Sequence, residues 1–190
     1  MAAPESINIK DITGKWSLNK TISDDIDPVL ALQGIGWLTR KAIGLAGLTL
    51  HVKHYKDDDA TEHIDIEQIA SGGIKGTTEL RTLNGEWHDH KDHIFGFVKG
   101  TSTWVQLSEL DDNDEDEAFL KDGWDKGTQE IGLVKNHVES QGNGWVGRQT
   151  WGFADIDIDG KIERRHTRRV VVTKGSEAKR IRMVYDFISQ

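Results

Sequence analysis

The chain has 190 residues and a formal net charge of −8, and 36% of its residues are hydrophobic. This composition predicts one globular domain spanning residues 1–190. The acidic balance argues against a basic face for nucleic acid and against anionic membrane surfaces, so neither partner is expected. Because there is no cysteine, disulfides, thiolate metal sites and a cysteine nucleophile are excluded, and a cytoplasmic location is expected.

The first predicted elements are a strand over residues 12–19 and a helix. Asp27-Pro28 is a typical helix start, and the apolar residues that follow recur at helical spacing. They predict a single helix over residues 28–43, which ends in glycines. This helix is either a packing element or a lid over a cavity.

From Leu48 onward the hydrophobic period is two, which is typical of β-strands. The predicted strands cover residues 48–53, 63–67, 77–83, 86–99, 103–110, 128–139, 145–155, 161–173 and 178–188. Asn84-Gly85 is a strong hairpin signal, and the other short joins also indicate antiparallel neighbours in a meander. The acidic run 111–117 is expected to be a solvated, mobile loop.

Many sequential strands, one early helix and no parallel crossover predict an all-β fold. The expected architecture is a closed antiparallel up-and-down β-barrel with one helix after the first strand. Closure removes the exposed edges of such a long meander. A barrel of this size holds either packed side chains or a cavity for one small ligand.

Alternate residues of a barrel strand face inward, so polar residues that share the apolar parity are candidate ligand contacts. The candidate catalytic residues are His166, Tyr185 and Gln149. The candidate ligand-binding residues are His54, Trp87, His93, Trp145, Trp151, Phe153 and Arg168. An aromatic interior with a few donors and acceptors is typical of a small-molecule pocket. The alternative is that each polar group is simply hydrogen-bonded at a barrel mouth.

His88 and His90 share one strand face and form a candidate metal pair, with His137 or His166 as a distant third ligand. No glutamate follows His90 at the spacing of cupin-type barrels. The favoured interpretation is a solvated hairpin end, so neither a metal nor a cofactor is expected. No nucleophile elbow and no phosphate-binding glycine motif occurs.

Gly14-Lys15-Trp16 on the first strand resembles the Gly-x-Trp signature of lipocalins and related calycins. That resemblance implies that Trp16 closes one barrel end beneath an arginine of a late strand, either Arg180 or Arg182. In overall character the chain also resembles the small lipocalin-like proteins of fungal natural-product pathways, some of which are cyclases or pericyclases.

Two functions are therefore expected candidates. The first is a cofactor-free enzyme of secondary metabolism that folds a hydrophobic small-molecule intermediate and promotes its cyclisation or isomerisation. The second is a non-catalytic intracellular carrier with an apolar cavity and one charged anchor such as Arg168. The polar residues of inward parity favour the enzyme. Either function predicts a hydrophobic small-molecule partner, and a homodimer is left open.

Overall fold

The structure, a computed structural model, describes residues 1–190. It contains ten strands: β1 (Gly14–Leu18), β2 (Leu48–Lys56), β3 (Glu62–Ala70), β4 (Ile74–Thr82), β5 (His88–Asp92), β6 (Gly96–Val105), β7 (Leu133–Ser140), β8 (Val146–Ile158), β9 (Lys161–Lys174) and β10 (Glu177–Ser189). Its helices are α1 (Asp27–Leu32), α2 (Trp37–Leu45), α3 (Glu115–Lys121) and α4 (Lys126–Ile131), with a short 3₁₀ turn at Leu107–Glu109. No helix is long and apolar enough to cross a membrane.

The strands form one antiparallel sheet in the order β4-β3-β2-β1-β10-β9-β8-β7-β6-β5. Pairing of β1 with both β2 and β10 joins the two ends of the chain and curves the sheet into a nearly closed barrel. The predicted all-β antiparallel barrel is confirmed. Paired sequential strands are joined by short turns, except between β1 and β2 and between β6 and β7, where the helices are inserted.

The barrel is interrupted between β4 and β5, where the sequence predicts a hairpin. Asn84-Gly85 does form a turn, and Gly85 has a φ of +75°. However, the Gly85 amide donates to the Ser102 carbonyl of β6, so the chain crosses toward β6 instead of folding back along β4. The hairpin prediction is wrong because local turn chemistry does not determine which strands then pair.

The single predicted helix is also wrong, because Gly34, with a φ of +84°, separates α1 from α2. Val29 of α1 packs with inward residues at one end of the barrel, among them Trp145, Val172 and Ile181. The helix α1 therefore covers that end, which agrees with both alternatives, a packing element and a lid. No residue of α2 is buried.

Two short helices lie outside the barrel in segments predicted as loop and strand. The Asp114 carboxylate accepts from the amides of Asp116 and Glu117 and starts α3 within the acidic run. Asp125 caps α4 in the same way, so the strand predicted over residues 128–139 begins only at Leu133. The capping carboxylates indicate these two helices in the sequence, whereas strand periodicity does not detect them.

The opposite end of the barrel is closed by Trp16 and the N-terminal segment. Trp16 is fully buried, as predicted, and its Nε1 donates to the Ile12 carbonyl at 3.0 Å. The expected arginine above it is neither Arg180 nor Arg182, because the inward residues of β10 have odd numbers. Arg180 instead binds Asp116 outside the barrel, and Arg182 reaches the Ile22 carbonyl.

Candidate functional site

The pairing register arranges the inward side chains in rows across β6 to β10, since cross-strand partners share one face. From α1 toward Trp16 the rows are Gly100–Val138–Gly147–Val172, then Ser102–Asn136–Gln149–Val170, then Trp104–Val134–Trp151–Arg168–Met183, and then Phe153–His166–Tyr185. The first row contains two glycines and the last is aromatic. The middle rows carry most of the polar groups.

A charged network crosses the barrel interior between β4 and β9. Glu79 Oε1 lies 3.4 Å from Arg168 Nη1, and its Oε2 lies 3.1 Å from Arg81 Nη2. Gln68 Nε2 donates to Glu79 Oε1 at 2.8 Å. Burial alone would raise the pKa of Glu79, but Arg168 and Arg81 lower it to about 2. Glu79 is therefore a carboxylate at neutral pH.

Several buried N–H groups that face the barrel interior have no hydrogen-bond partner within the protein. They are Nε and Nη2 of Arg168, Nε of Arg81, Nδ2 of Asn136 and Nε1 of Trp145. We call the set Gln68, Glu79, Arg81, Ser102, Asn136, Gln149 and Arg168 the interior polar belt. A buried donor without a partner is costly. The belt can therefore offer hydrogen bonds to a ligand in the interior.

Arg168, a predicted ligand contact, lies at the centre of this belt. Its guanidinium carbon is 4.0 Å from the centre of the Trp151 ring and 5.4 Å from that of Tyr185. Stacking of this kind holds a guanidinium in a fixed plane. The structure thus brings Arg168, Trp151 and Tyr185 together, as the shared parity predicts.

His166 and Tyr185 are direct partners in the β9–β10 register, with ring centres 5.4 Å apart. Burial and the charge of Arg168 lower the pKa of His166 to about 3, so the ring is neutral. Its Nδ1 lies 3.0 Å from the Gly152 carbonyl oxygen, which can only accept. The proton is therefore on Nδ1, and Nε2, which has no protein partner, is an acceptor.

The protein contacts of Tyr185 and Gln149 also determine which hydrogen bonds these side chains can offer to a ligand. Burial raises the pKa of Tyr185, so its hydroxyl is a donor, and its protein contact is the weak acceptor Met183 Sδ at 3.9 Å. Gln149 Oε1 accepts from Trp151 Nε1 at 3.0 Å. The amide nitrogen of Gln149 is then left to donate to a ligand.

Two predicted ligand contacts belong to the closed end. His54 is buried, but its Nε2 lies 2.8 Å from Glu62 Oε1 and its Nδ1 accepts from the Ile12 amide. Phe153 is fully buried and is covered by Arg164 at 3.9 Å. Both side chains are engaged by the protein itself, and their role as ligand contacts stays a prediction.

The inward placement expected for His93 and Trp87 is wrong for a common reason. The strand predicted over residues 86–99 is a hairpin, because the Asp92 carboxylate accepts from the amides of Ile94 and Phe95 and ends β5. His93 is therefore exposed in the turn. Trp87 is 42% exposed and packs against His137. The parity of apolar residues does not continue through a turn.

The histidine pair proposed for a metal lies on β5. His88 and His90 are exposed, and no cluster of three or more His, Asp or Glu side chains is arranged to hold a metal ion. The geometry therefore gives the metal alternative no support.

Sequence reasoning missed Glu79, Arg81 and Gln68. The exposed apolar residues of β4 are Ile74 and Leu80, so apolar parity indicates the wrong face of this strand. The pairing of β3 with β4 could have identified Glu79, because Glu79 is the cross-strand partner of Ile66, a fully buried residue of β3.

Two open grooves lie away from the belt. One, of about 420 Å³, runs along α1 beside Lys174 and Lys179. The other, of about 490 Å³, lies between the 3₁₀ turn and α3, beside Trp124. Neither groove is lined by a residue of the interior polar belt.

No family model matches the chain. The chain is 33% identical over 188 residues to the probable pericyclase scpY of Mollisia scopiformis, covering 98% of this chain and 95% of that protein. It is 27% identical over 190 residues to the pericyclase pydY of an Acremonium species, covering 99% of this chain and 97% of that protein.

Among solved structures, the apo lipid binding protein 8 of Caenorhabditis elegans superposes with a TM-score of 0.55 at 16% identity, covering 95% of this chain and 99% of that one. The fatty-acid-binding protein 1 of Echinococcus granulosus gives 0.52 at 14% identity, covering 93% and 97%. At these identities the likeness shows a shared barrel fold. The near full-length match to scpY shows more: the chain belongs to the lipocalin-like pericyclase family.

Proposed function

We propose that this protein binds a hydrophobic small-molecule intermediate inside its barrel and promotes its cyclisation as a cofactor-free pericyclase. The observation that supports this is the interior polar belt, in which unpaired donors lie beside Trp151 and Tyr185. The names of the family members scpY and pydY point to the same reaction class.

A pericyclic ring closure makes and breaks bonds within one molecule through a cyclic transition state. No atom enters or leaves, so no nucleophile and no external base is needed. A binding site accelerates such a reaction chiefly by holding a flexible precursor in the folded conformation that reacts. The aromatic rings of Trp145, Trp151 and Tyr185 supply the walls for this.

The polar belt adds a second contribution, because a hydrogen bond to a conjugated carbonyl stabilises charge that develops in the transition state. The proposed donors are the free edge of Arg168, the Gln149 amide and the Tyr185 hydroxyl. The proposed role of His166 is to accept a hydrogen bond at Nε2. Its low pKa argues against a role as a proton shuttle.

The experiment that tests the proposal uses the fact that cyclisation conserves molecular mass. Deleting the gene in the organism that carries it is expected to replace one metabolite by an isomer of equal mass. Purified protein is then added to the isolated isomer, and chromatography should show conversion to the missing metabolite. A carrier would bind the isomer without converting it, and an unchanged metabolite profile would contradict both functions.

A further inference from the structure

We infer that the substrate carries an anionic oxygen head group, a carboxylate or the enolate of an acidic 1,3-dicarbonyl, and that Arg168 and Arg81 bind it. This inference rests on the proposed function, since it names the ligand of the same interior. The head group would lie in the interior polar belt, and the hydrophobic part would extend along the rows toward α1.

The charge balance of the belt favours an anionic ligand. It contains two guanidinium groups, of Arg81 and Arg168, but only one carboxylate, that of Glu79. Glu62, the inward carboxylate at the end of β3, is engaged by His54 Nε2 and Trp104 Nε1 instead. One buried positive charge is therefore left without a counter-ion, and a buried unpaired charge is costly. An anionic head group would neutralise it.

The geometry of Arg168 is the second argument. Glu79 contacts only Nη1 of its guanidinium. The two nitrogens without a protein partner are Nε and Nη2, which together form one edge with two parallel N–H donors. That edge matches the two oxygens of a carboxylate or a 1,3-dicarbonyl enolate in bidentate geometry. A neutral hydroxyl or ester could use only part of it.

The surrounding contacts show how this edge is held in place. Trp151 lies against the face of the guanidinium, and Glu79 fixes Nη1. Gln68 in turn donates to Glu79. Glu79 and Gln68 are thus positioning residues, which orient Arg168 without belonging to the edge that binds. Arg81 contributes a further unpaired Nε.

The hydrophobic part of the ligand would lie along the row between the belt and α1. Two of its members, Gly100 and Gly147, have no side chain. A Cβ on Gly100 would lie 3.7 Å from Arg81 Nη1, so this row lies directly against the belt. An acyl chain in this row would lie against Trp145 and Val172, which pack with Val29 of α1.

Titration calorimetry at pH 7.5 with matched probes tests the inference. Dodecanoate and 1-dodecanol have the same chain length and differ in the head group. A 2-acyl-1,3-cyclohexanedione and its neutral enol methyl ether form the second pair, which distinguishes an enolate from a carboxylate. The anionic member of at least one pair should bind about 10- to 100-fold more tightly, as expected for charge-assisted hydrogen bonds.

The variants are Arg168→Met, Arg168→Lys and Arg169→Met. The preference for the anion should disappear in Arg168→Met and fall strongly in Arg168→Lys, which keeps the charge but lacks the bidentate edge. Arg169 is the neighbouring arginine and lies on the outer face. Arg169→Met changes the net charge by the same amount and should retain the preference for the anion.

Equal affinity of wild-type protein for both members of each pair would overturn the inference while leaving an interior ligand site in place. An equal loss of preference in Arg169→Met and Arg168→Met would also overturn it. If neither pair binds, the interior is not a site for such ligands, and the proposed function fails together with the inference.

Discussion

Glu79 on β4 and Arg168 on β9 meet across the barrel interior, with Oε1 and Nη1 3.4 Å apart, although four strands separate them within the sheet. This contact divides the interior into two parts. On the Trp16 side, aromatic side chains fill the barrel. On the α1 side lies the row that contains Gly100 and Gly147, along which the proposed ligand would extend.

A bulky side chain in that row should weaken ligand binding. A Cβ at Gly147 would lie 3.5 Å from the Trp145 ring and 3.9 Å from Val172, which are ordinary contacts, so the backbone tolerates a side chain. In Gly147→Leu the rest of that side chain must enter the interior. We expect the affinity for a bound acyl probe to fall at least about 10-fold, at a stability cost of at most about 1–3 kcal/mol.

Gly142→Leu is the control, because a Cβ at that exposed position has no neighbour within 4 Å. Calorimetry and thermal unfolding of both variants provide the comparison. Undiminished binding by a folded Gly147→Leu protein would show that the ligand lies elsewhere.

The buried imidazole of His166 should make the fold sensitive to acid. Its pKa is about 3 in the folded state and 6.5 ordinarily, so the unfolded chain binds the proton first as pH falls. Stability is therefore complete above pH 6.5 and decreases toward pH 3, by up to about 1.4 kcal/mol per unit. Glu79, with a pKa lowered from 4.5 to about 2, adds a loss only below pH 4.5.

Denaturant unfolding at pH 7 and pH 5 measures this effect. The wild-type protein should lose about 2 kcal/mol more than His166→Phe over this interval. His90→Gln, which changes an exposed histidine, should follow the wild type. Parallel pH profiles for wild type and His166→Phe would show that His166 is not held neutral by the fold.

The acidic run 111–117 should stabilise the fold as a clasp, that is, an ion-pair link between strands, because Asp116 binds two arginines on the outer face of the barrel. Its Oδ1 lies 2.6 Å from Arg180 Nη2 on β10, and its Oδ2 binds Arg148 on β8. Asp116→Asn should reduce the free energy of unfolding by about 1–3 kcal/mol. Asp112→Asn, in an exposed pair with Lys121, should cost about 0–1 kcal/mol. Equal effects in chemical denaturation would contradict the clasp.

How far the sequence predicts this molecule depends on how regular each strand is. From β8 to β10, long strands with short joins keep one parity, so the inward positions of Trp151, Arg168, His166 and Tyr185 could be predicted. The Gly-x-Trp resemblance likewise indicated the burial of Trp16. In these regions local alternation and tertiary burial agree.

Prediction failed where polar residues face inward or a turn shifts the parity. On β4 the inward residues are Glu79 and Arg81, while Leu80 is exposed, so alternation alone indicates the wrong face. At Asp92 the side chain caps a turn that breaks the predicted strand. The ion pair of Glu79 with Arg168 depends on barrel closure, which no local pattern encodes.

The proposed role of the barrel is to catalyse a reaction and not only to bind a ligand. The most direct measurement is the single-turnover rate and the affinity of Tyr185→Phe on the isomer that accumulates in the deletion strain. Tyr55→Phe is the matched control, since the Tyr55 hydroxyl donates to Asp65 at 3.1 Å on the outer side. Tyr185→Phe should lower the rate about 10²-fold with nearly unchanged affinity, and Tyr55→Phe should keep the wild-type rate. An unchanged rate in Tyr185→Phe, or equal losses of rate and affinity, would contradict a catalytic role.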